Sequence, residues 1–178
     1  MNSNKFSIEI TEMHWLFKED IHADLCAHGK VKVQIGEELI AGIRDDEDWT
    51  ISSTALFLLR TLERNHTKEE QVGDYLIPCC GHFFVFENDM KEVYVGSCAN
   101  GIDWEVIHEN GNIKLKTENG EETLIEFDHY KSEVLKFVDK VERFYIESGE
   151  KKISSDETER KGYLEFWNEW KRRKRKWN

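Results

Sequence analysis

Proline, long apolar runs and the common catalytic motifs are rare or missing in this sequence. Pro78 is the only proline among 178 residues, which argues against a proline-rich linker between two domains. No apolar run approaches the ~18 residues that a membrane span needs. The Gly-x-Ser-x-Gly elbow, the phosphate loop and the Gly-x-Gly-x-x-Gly fingerprint are also absent. We therefore expect a single domain over 1–178 without a membrane span, and we lean against an enzyme.

Cysteine occurs only four times, as Cys26, Cys79, Cys80 and Cys98. An adjacent pair cannot form an ordinary disulfide without strain. A domain of this size also needs no disulfide to hold its core. No apolar segment of the kind found in signal peptides follows the first residues. We expect reduced thiols and a cytoplasmic protein.

Charge is distributed unevenly along the chain. The net charge is −11, and because the six basic residues at 171–176 carry +6, residues 1–170 carry −17. Such polarity usually concerns partners and not the fold. An acidic body repels polyanions, and a short basic end makes few phosphate contacts. We do not expect nucleic acid as the main partner, and weak nucleic-acid binding through the basic, Trp-containing C-terminus is kept as an alternative.

The pattern of apolar residues predicts an α+β domain. The part over 1–127 alternates like β-strands and contains one helical pattern near 51–64, whereas 128–178 is helical. We expect an antiparallel meander sheet of about six to eight strands and three main helices, two of them C-terminal. Gly162 lies inside the last helical pattern, where glycine costs about 1 kcal/mol against alanine and favours fraying.

Asn-Gly pairs at 100, 110 and 119 carry the strongest evidence for the meander. Both central residues of a type I′ turn have positive φ angles, which Asn-Gly tolerates best. The flanking residues alternate in hydrophobicity as strands do. Each pair therefore predicts a tight hairpin between two neighbouring strands.

Two Cys-x-His units, at 26–28 and 80–82, raise the question of a metal. In a strand the thiol and the imidazole of such a unit point to one face. Two facing units would supply four ligands for tetrahedral zinc. Structural zinc sites usually use cysteine pairs two to four residues apart, however, and buried cysteines often act as small apolar side chains. We therefore expect no cofactor and keep zinc as an alternative, with ligands Cys26, His28, Cys80 and His82, and Cys79 or Cys98 as a substitute.

Cys98 is also the candidate for thiol catalysis, because it falls where a strand should end. An activated thiol needs a base, and His82 or His108 could serve only if the fold brings one close. The acidic body would raise the pKa of a thiol. A thiol-dependent protein is therefore an alternative and not the favoured function.

The favoured function is a non-enzymatic, acidic protein-binding module of the immunity or antitoxin type. An acidic surface speeds association with a basic protein partner through electrostatic steering. An aromatic side chain flanked by acids can anchor an interface, and a second copy of the chain is another partner for the basic end. The candidate contacts are Asp45, Asp46, Glu47, Asp48 and Trp49 in the acidic segment and Trp170, Arg172, Arg173 and Trp177 near the C-terminus.

Two stretches carry a resemblance to a known group. They read Leu-Ile-Pro-Cys-Cys-Gly-His at 76–82 and Gly-Tyr-Leu-Glu-Phe-Trp-Asn-Glu-Trp at 162–170. The chain resembles short uncharacterised proteins of low-GC Gram-positive bacteria. The resemblance implies a bacterial, cytoplasmic protein and carries no activity, cofactor or catalytic residue.

Overall fold

The computed structural model describes residues 5–81, 83–87 and 89–177. Within these ranges the chain forms eleven strands and three helices, two of them C-terminal, so the predicted α+β class is confirmed. None of the three helices described combines the length and the apolar character required to cross a bilayer. The strands are β1 (Phe6–His14), β2 (His28–Ile35), β3 (Glu38–Ala41), β4 (Trp49–Thr50), β5 (Ile77–Pro78), β6 (Phe83–Val85), β7 (Tyr94–Gly96), β8 (Gly101–Ile102), β9 (Trp104–Glu109), β10 (Asn112–Thr117) and β11 (Glu122–Glu126), and the helices are α1 (Ile51–Thr61), α2 (Phe127–Ser148) and α3 (Glu157–Lys174).

The strands do not form the single meander that the sequence predicts. Within the described residues they are divided among a sheet of β1, β2, β3 and β4, a sheet of β9, β10 and β11, and the separate pairs β5–β8 and β6–β7. The division arises at Gly101, which has no positive φ angle and pairs with Pro78 instead of turning a hairpin. A Cβ atom at Gly101 would lie 2.4 Å from the Tyr75 ring. This glycine therefore permits a close approach of two segments.

The other two Asn-Gly pairs do join neighbouring strands. Asn110 and Gly111 have φ angles of 50° and 80° and form the predicted two-residue turn between β9 and β10. The loop between β10 and β11 is longer, and only Gly120 has a positive φ angle there, at 91°. The Gly120 amide donates to the Thr117 carbonyl at 3.0 Å. This second connection is a hairpin but not a type I′ turn.

Helix α1 lies at the centre of the protein, and all eleven of its residues are buried. Elements α2, α3, β2 and β5 surround it. Its buried residues include the small polar side chains of Ser52, Ser53, Thr54 and Thr61. The Ser53 hydroxyl donates to the Gly81 carbonyl at 2.6 Å, and the Thr54 hydroxyl donates to the Thr50 carbonyl at 3.0 Å. The predicted helix is confirmed, but it is buried on every side and not on one face.

A buried ion-pair network connects α1 with α3, and we define it as Arg60, Glu92, Glu169 and Arg173. Glu169 accepts hydrogen bonds from the Nε atoms of Arg60 and Arg173, each at 2.8 Å. Glu92 lies at the edge of the network, is a quarter exposed and also pairs with Arg64. The network therefore ties the helix nearest the C-terminus to the centre of the protein.

The titration of Glu92 should make stability depend on pH in acid. Burial raises the pKa of the Glu92 carboxyl, but a hydrogen bond from Arg64 and the charges of Arg60 and Arg173 lower it further, from 4.5 to about 2. Because the folded pKa is the lower one, ionised Glu92 stabilises the protein above about pH 4.5, and this contribution is lost as the pH falls towards 2. We expect Glu92→Gln to lower the free energy of unfolding by about 1–2 kcal/mol at pH 7, since partial exposure screens the interaction.

Urea unfolding of Glu92→Gln and wild type between pH 7 and pH 2.5 measures this contribution. The difference between the two proteins should shrink as the pH drops below about 4.5. Glu109→Gln, which removes an exposed partner of Lys114, serves as the control and should show a small difference throughout. A difference for Glu92→Gln that stays constant over the whole pH range would contradict the assignment.

Candidate functional site

Three cysteines meet at the edge of the protein, and we call Cys79, Cys80 and Cys98 the thiol cluster. Their Sγ atoms all lie within 4.8 Å of one another. Cys79 and Cys80 directly follow β5, and Cys98 lies between β7 and β8. The β5–β8 pairing brings the two segments together, and it is extended by the Cys79 amide, which donates to the Asn100 carbonyl at 3.0 Å. Among the described residues no other group of three or more His, Cys, Asp or Glu ligand atoms is this compact.

The three thiols do not ionise alike. Hydrogen bonds from the Cys80 and Cys79 thiols lower the pKa of the exposed Cys98 thiol. A hydrogen bond with Cys98 and burial raise the pKa of the Cys80 thiol, and burial raises the pKa of the Cys79 thiol. The arrangement therefore favours a thiolate at Cys98 over one at either neighbour. Three thiolates at this spacing would repel one another unless a cation lay between them.

Buried hydroxyl groups form hydrogen bonds to the loop that carries Cys79 and Cys80 and hold it against the core. The Thr50 hydroxyl donates to the Cys79 carbonyl at 3.3 Å, and the Ser53 hydroxyl donates to the Gly81 carbonyl at 2.6 Å. Thr50 is the N-cap residue of α1, and Ser53 lies in the buried first turn of the helix. A cysteine loop held by a buried helix keeps its position without help from a ligand, as a preorganised metal site requires.

The spacing of the sulfur atoms suits a thiophilic metal ion. Zn–S bonds of about 2.3 Å in a tetrahedral site place sulfur atoms about 3.8 Å apart. The sulfur atoms of the cluster lie within 4.8 Å of one another, so they need to move by no more than about 1 Å. Three sulfur ligands leave a fourth position, and because Cys98 is exposed, solvent can reach the cluster at that residue.

No family model, no curated protein and no solved structure matches this chain. The resemblance to bacterial proteins described above therefore stays a prediction. What the site can do is decided by its donor atoms and by their surroundings.

The predicted Cys-x-His zinc set is only partly brought together. Cys80 belongs to the thiol cluster, with Cys79 and Cys98, the two predicted substitutes. Cys26 is buried, its thiol donates to the Gly81 carbonyl at 3.5 Å, and burial raises the pKa of this thiol strongly, which disfavours the thiolate. His28 is buried, and its Nδ1 donates to the Cys26 carbonyl at 3.0 Å. His82 lies outside the described residues, so its part in the set stays a prediction.

The predicted bases for Cys98 are not placed beside it among the described residues. His108 donates from Nε2 to the Thr61 carbonyl at 2.8 Å and is not part of the thiol cluster. His82, the other candidate, is outside the described residues. Ser97, next to Cys98, donates to the Asp74 carboxylate at 2.8 Å.

Part of the acidic segment 45–49 faces inward. Glu47 is buried, and its carboxylate accepts from the amides of Gly42 at 2.8 Å and Arg44 at 3.2 Å. Trp49 is only 7% exposed and belongs to the core. These two residues stabilise the loop and cannot serve as the expected surface contacts. The exposed members of the segment are Asp45, Asp46 and Asp48.

Three of the six basic residues at 171–176, namely Arg173, Lys174 and Lys176, form ion pairs with acidic residues of the same chain. Arg173 is buried in the ion-pair network, and Lys174 pairs with Asp139 and Glu142. Trp170 is fully buried, whereas Trp177 is half-buried with its ring 5.5 Å from that of Phe127. Of the four predicted contacts near the C-terminus, Arg172 is exposed. Trp170 and Arg173 hold α3 in place and are not accessible to a partner.

Proposed function

We propose that the protein binds a thiophilic metal ion, Zn²⁺ first of all, at the thiol cluster. The observation that carries this proposal is the convergence of the Cys79, Cys80 and Cys98 sulfur atoms within 4.8 Å. Soft thiolate ligands favour Zn²⁺ and Cu⁺ over Mg²⁺ or Ca²⁺. Zinc, the alternative cofactor of the sequence analysis, is therefore kept as a proposal. Its ligands are now Cys79, Cys80 and Cys98, and Cys26 is no longer among them.

A bound ion would stabilise the folded protein. The cluster joins the segment after β5 to the segment before β8, and these short strands share only two residue pairs. An ion held by both segments would link them more firmly than this pairing does. Binding to the folded state alone raises the apparent stability in proportion to the logarithm of the free metal concentration. We propose a structural or metal-sensing role on this basis.

Metal titration tests the proposal. Reduced protein, purified without chelator and titrated with Zn²⁺ against a chromophoric competitor, should bind one equivalent. Replacing Cys79, Cys80 or Cys98 by serine should each weaken binding by about 100-fold, since a serine hydroxyl stays protonated and is a poor zinc ligand. Cobalt substitution should give a sulfur-to-metal charge-transfer band that the Cys98→Ser variant loses.

Cys26→Ala is the matched control, because Cys26 is a buried cysteine outside the thiol cluster. It should keep wild-type zinc affinity although it loses some stability. His82→Ala tests the remaining predicted ligand in the same assay. Zinc binding below about 0.2 equivalents, or affinity that survives all three serine replacements, would refute a metal site at the cluster.

An acidic protein-binding function is the second proposal for this protein. The net charge of −11 and the exposed carboxylates of Asp45, Asp46 and Asp48 support it, because an acidic surface attracts a basic protein. The basic protein partner, the second copy of the chain and the cytoplasmic location all stay predictions. The ion pairs of Arg173, Lys174 and Lys176 leave fewer cations for a nucleic acid, so this alternative has less support than the charge of +6 at 171–176 suggests.

A further inference from the structure

A cavity of about 380 Å³ opens on the side of the protein where the loop after β1 meets β6. Its size is within the range of pockets for small organic molecules. Leu16, Phe17 and Phe83 line it and are 50%, 57% and 52% exposed. Three large apolar side chains left half open to water around one cavity mark a binding surface more often than a chance arrangement. The thiol cluster does not line this cavity.

The charged groups of the cavity are acidic. Its lining includes the carboxylates of Asp24 and Glu159 and no lysine or arginine among the described residues. Asp24 is buried and accepts from the amides of Leu16 at 2.6 Å and Cys26 at 3.1 Å. Glu159 lies in the exposed first turn of α3. A ligand that enters the cavity therefore meets negative charge.

Lys151 is the cation that acts on Asp24 from outside the lining. Its Nζ atom donates to the Ile21 carbonyl at 2.6 Å and lies 3.0 Å from the centroid of the Trp15 ring. Burial lowers the pKa of Lys151 to about 8, although Asp24 opposes this shift. Lys151 thus balances part of the charge of Asp24, whereas no lysine or arginine of the described residues lines the cavity beside Glu159.

His28 adds a neutral acceptor to the lining. A carbonyl can only accept, so the contact of Nδ1 with the Cys26 carbonyl places the ring proton on Nδ1 and leaves a lone pair on Nε2. The Thr50 hydroxyl lies 3.5 Å from Nε2 and 3.3 Å from the Cys79 carbonyl, so it engages Nε2 only weakly.

We infer that this cavity binds a small organic cation with an apolar body, an arylalkyl amine being the simplest case. The apolar walls take the hydrocarbon part, and Glu159 attracts the ammonium group at the rim. An anion of the same shape would meet two carboxylates without a cationic partner in the lining. The inference is independent of the proposed metal site, and the Cys98→Ser variant should bind the amine as the wild type does.

Three compounds with the same phenylalkyl part and different terminal groups test this inference. They are 4-phenylbutylamine, 4-phenylbutanol and 4-phenylbutyrate, each titrated at pH 7 and followed through backbone amide chemical shifts. The amine should bind about tenfold more tightly than the carboxylate, with the alcohol between them. The shifts should centre on Phe17, Cys26 and Phe83.

Variants separate the apolar contribution from the charge. Phe17→Ser should weaken binding of the amine and the alcohol alike, by about tenfold, whereas Ile146→Ser, at a 73% exposed site elsewhere, should change neither. Glu159→Gln should lower the preference for amine over alcohol by about threefold. Glu157→Gln, in the same helical turn, is its control. Three results would overturn the inference. The carboxylate could bind as tightly as the amine, no probe could bind at about 5 mM, or the chemical shifts could change away from the cavity.

Discussion

Replacing Glu169 by alanine should lower the free energy of unfolding by about 3–5 kcal/mol. Glu169 is 2% exposed, and its carboxylate accepts from Arg60, from Arg173 and from the Val93 amide at 2.8 Å. Without it, Arg60 keeps only the more distant Glu92 carboxylate, at 3.9 Å, and Arg173 keeps Glu92 and Glu63. The cost of leaving buried charges with too little counter-charge exceeds the net worth of the intact ion pairs.

Arg60 cannot escape to water when Glu169 is removed. Its NH1 and NH2 atoms donate to the carbonyls of Val72 and Val93, both at 2.7 Å, and the residue is only 4% exposed. The hydrogen bonds and charges of Arg60 and Arg173 lower the pKa of Glu169 although burial raises it. Glu169 is therefore ionised in the folded protein at neutral pH.

Urea unfolding of Glu169→Ala, Glu169→Gln and wild type at pH 7 measures this effect. Glutamine keeps part of the hydrogen bonding and should lose less stability than alanine. Glu109→Gln, an exposed ion-pair partner, should lose less than about 0.5 kcal/mol. A loss below about 1 kcal/mol for Glu169→Ala would show that the network is dispensable.

Gly162→Ala should destabilise the protein by about 2–3 kcal/mol, although alanine is the better helix former. A Cβ atom at Gly162 would lie 2.1 Å from the Phe84 carbonyl oxygen and 2.7 Å from its carbon. Both atoms belong to the backbone of β6, which cannot move aside as the end of a side chain can. Helix α3 and β6 would have to separate.

The sign of the Gly162→Ala effect decides between two explanations. Helix propensity alone predicts that the free energy of unfolding rises by about 1 kcal/mol. Close packing against β6 predicts that it falls. Gly120→Ala is the control, since nothing lies within 4 Å of its Cβ position and its φ angle of +91° adds only backbone strain, a cost of about 1 kcal/mol. Thermal or urea unfolding of both variants gives the comparison, and a more stable Gly162→Ala protein would exclude the close contact.

Gly162 also shows why a local pattern can mislead. From the sequence it favours fraying of the last helix, because propensity counts only interactions within the helix. In the structure α3 runs unbroken through it, and the glycine lets the helix touch the β6 backbone. Gly101 gives the same lesson, since Asn-Gly predicts a turn there and the glycine instead permits a close approach to Tyr75.

The sequence by itself determined the α+β class, the three helices and the hairpin at Asn110-Gly111. These features depend on contacts between residues close in the chain, namely hydrophobic period and turn conformation, so local pattern carries the information. The sequence also pointed to cysteine chemistry, including Cys79 and Cys98 as substitutes for other ligands.

Only the tertiary structure decided which cysteines meet and which charges are available. Cys98 joins Cys79 and Cys80 because β8 leaves the neighbouring hairpins and pairs with β5. Arg173 is withdrawn from the surface because Glu63 and Glu92 reach it from other parts of the chain. Such contacts join segments far apart in sequence, and their energies depend on burial and distance, which no local pattern of residues contains.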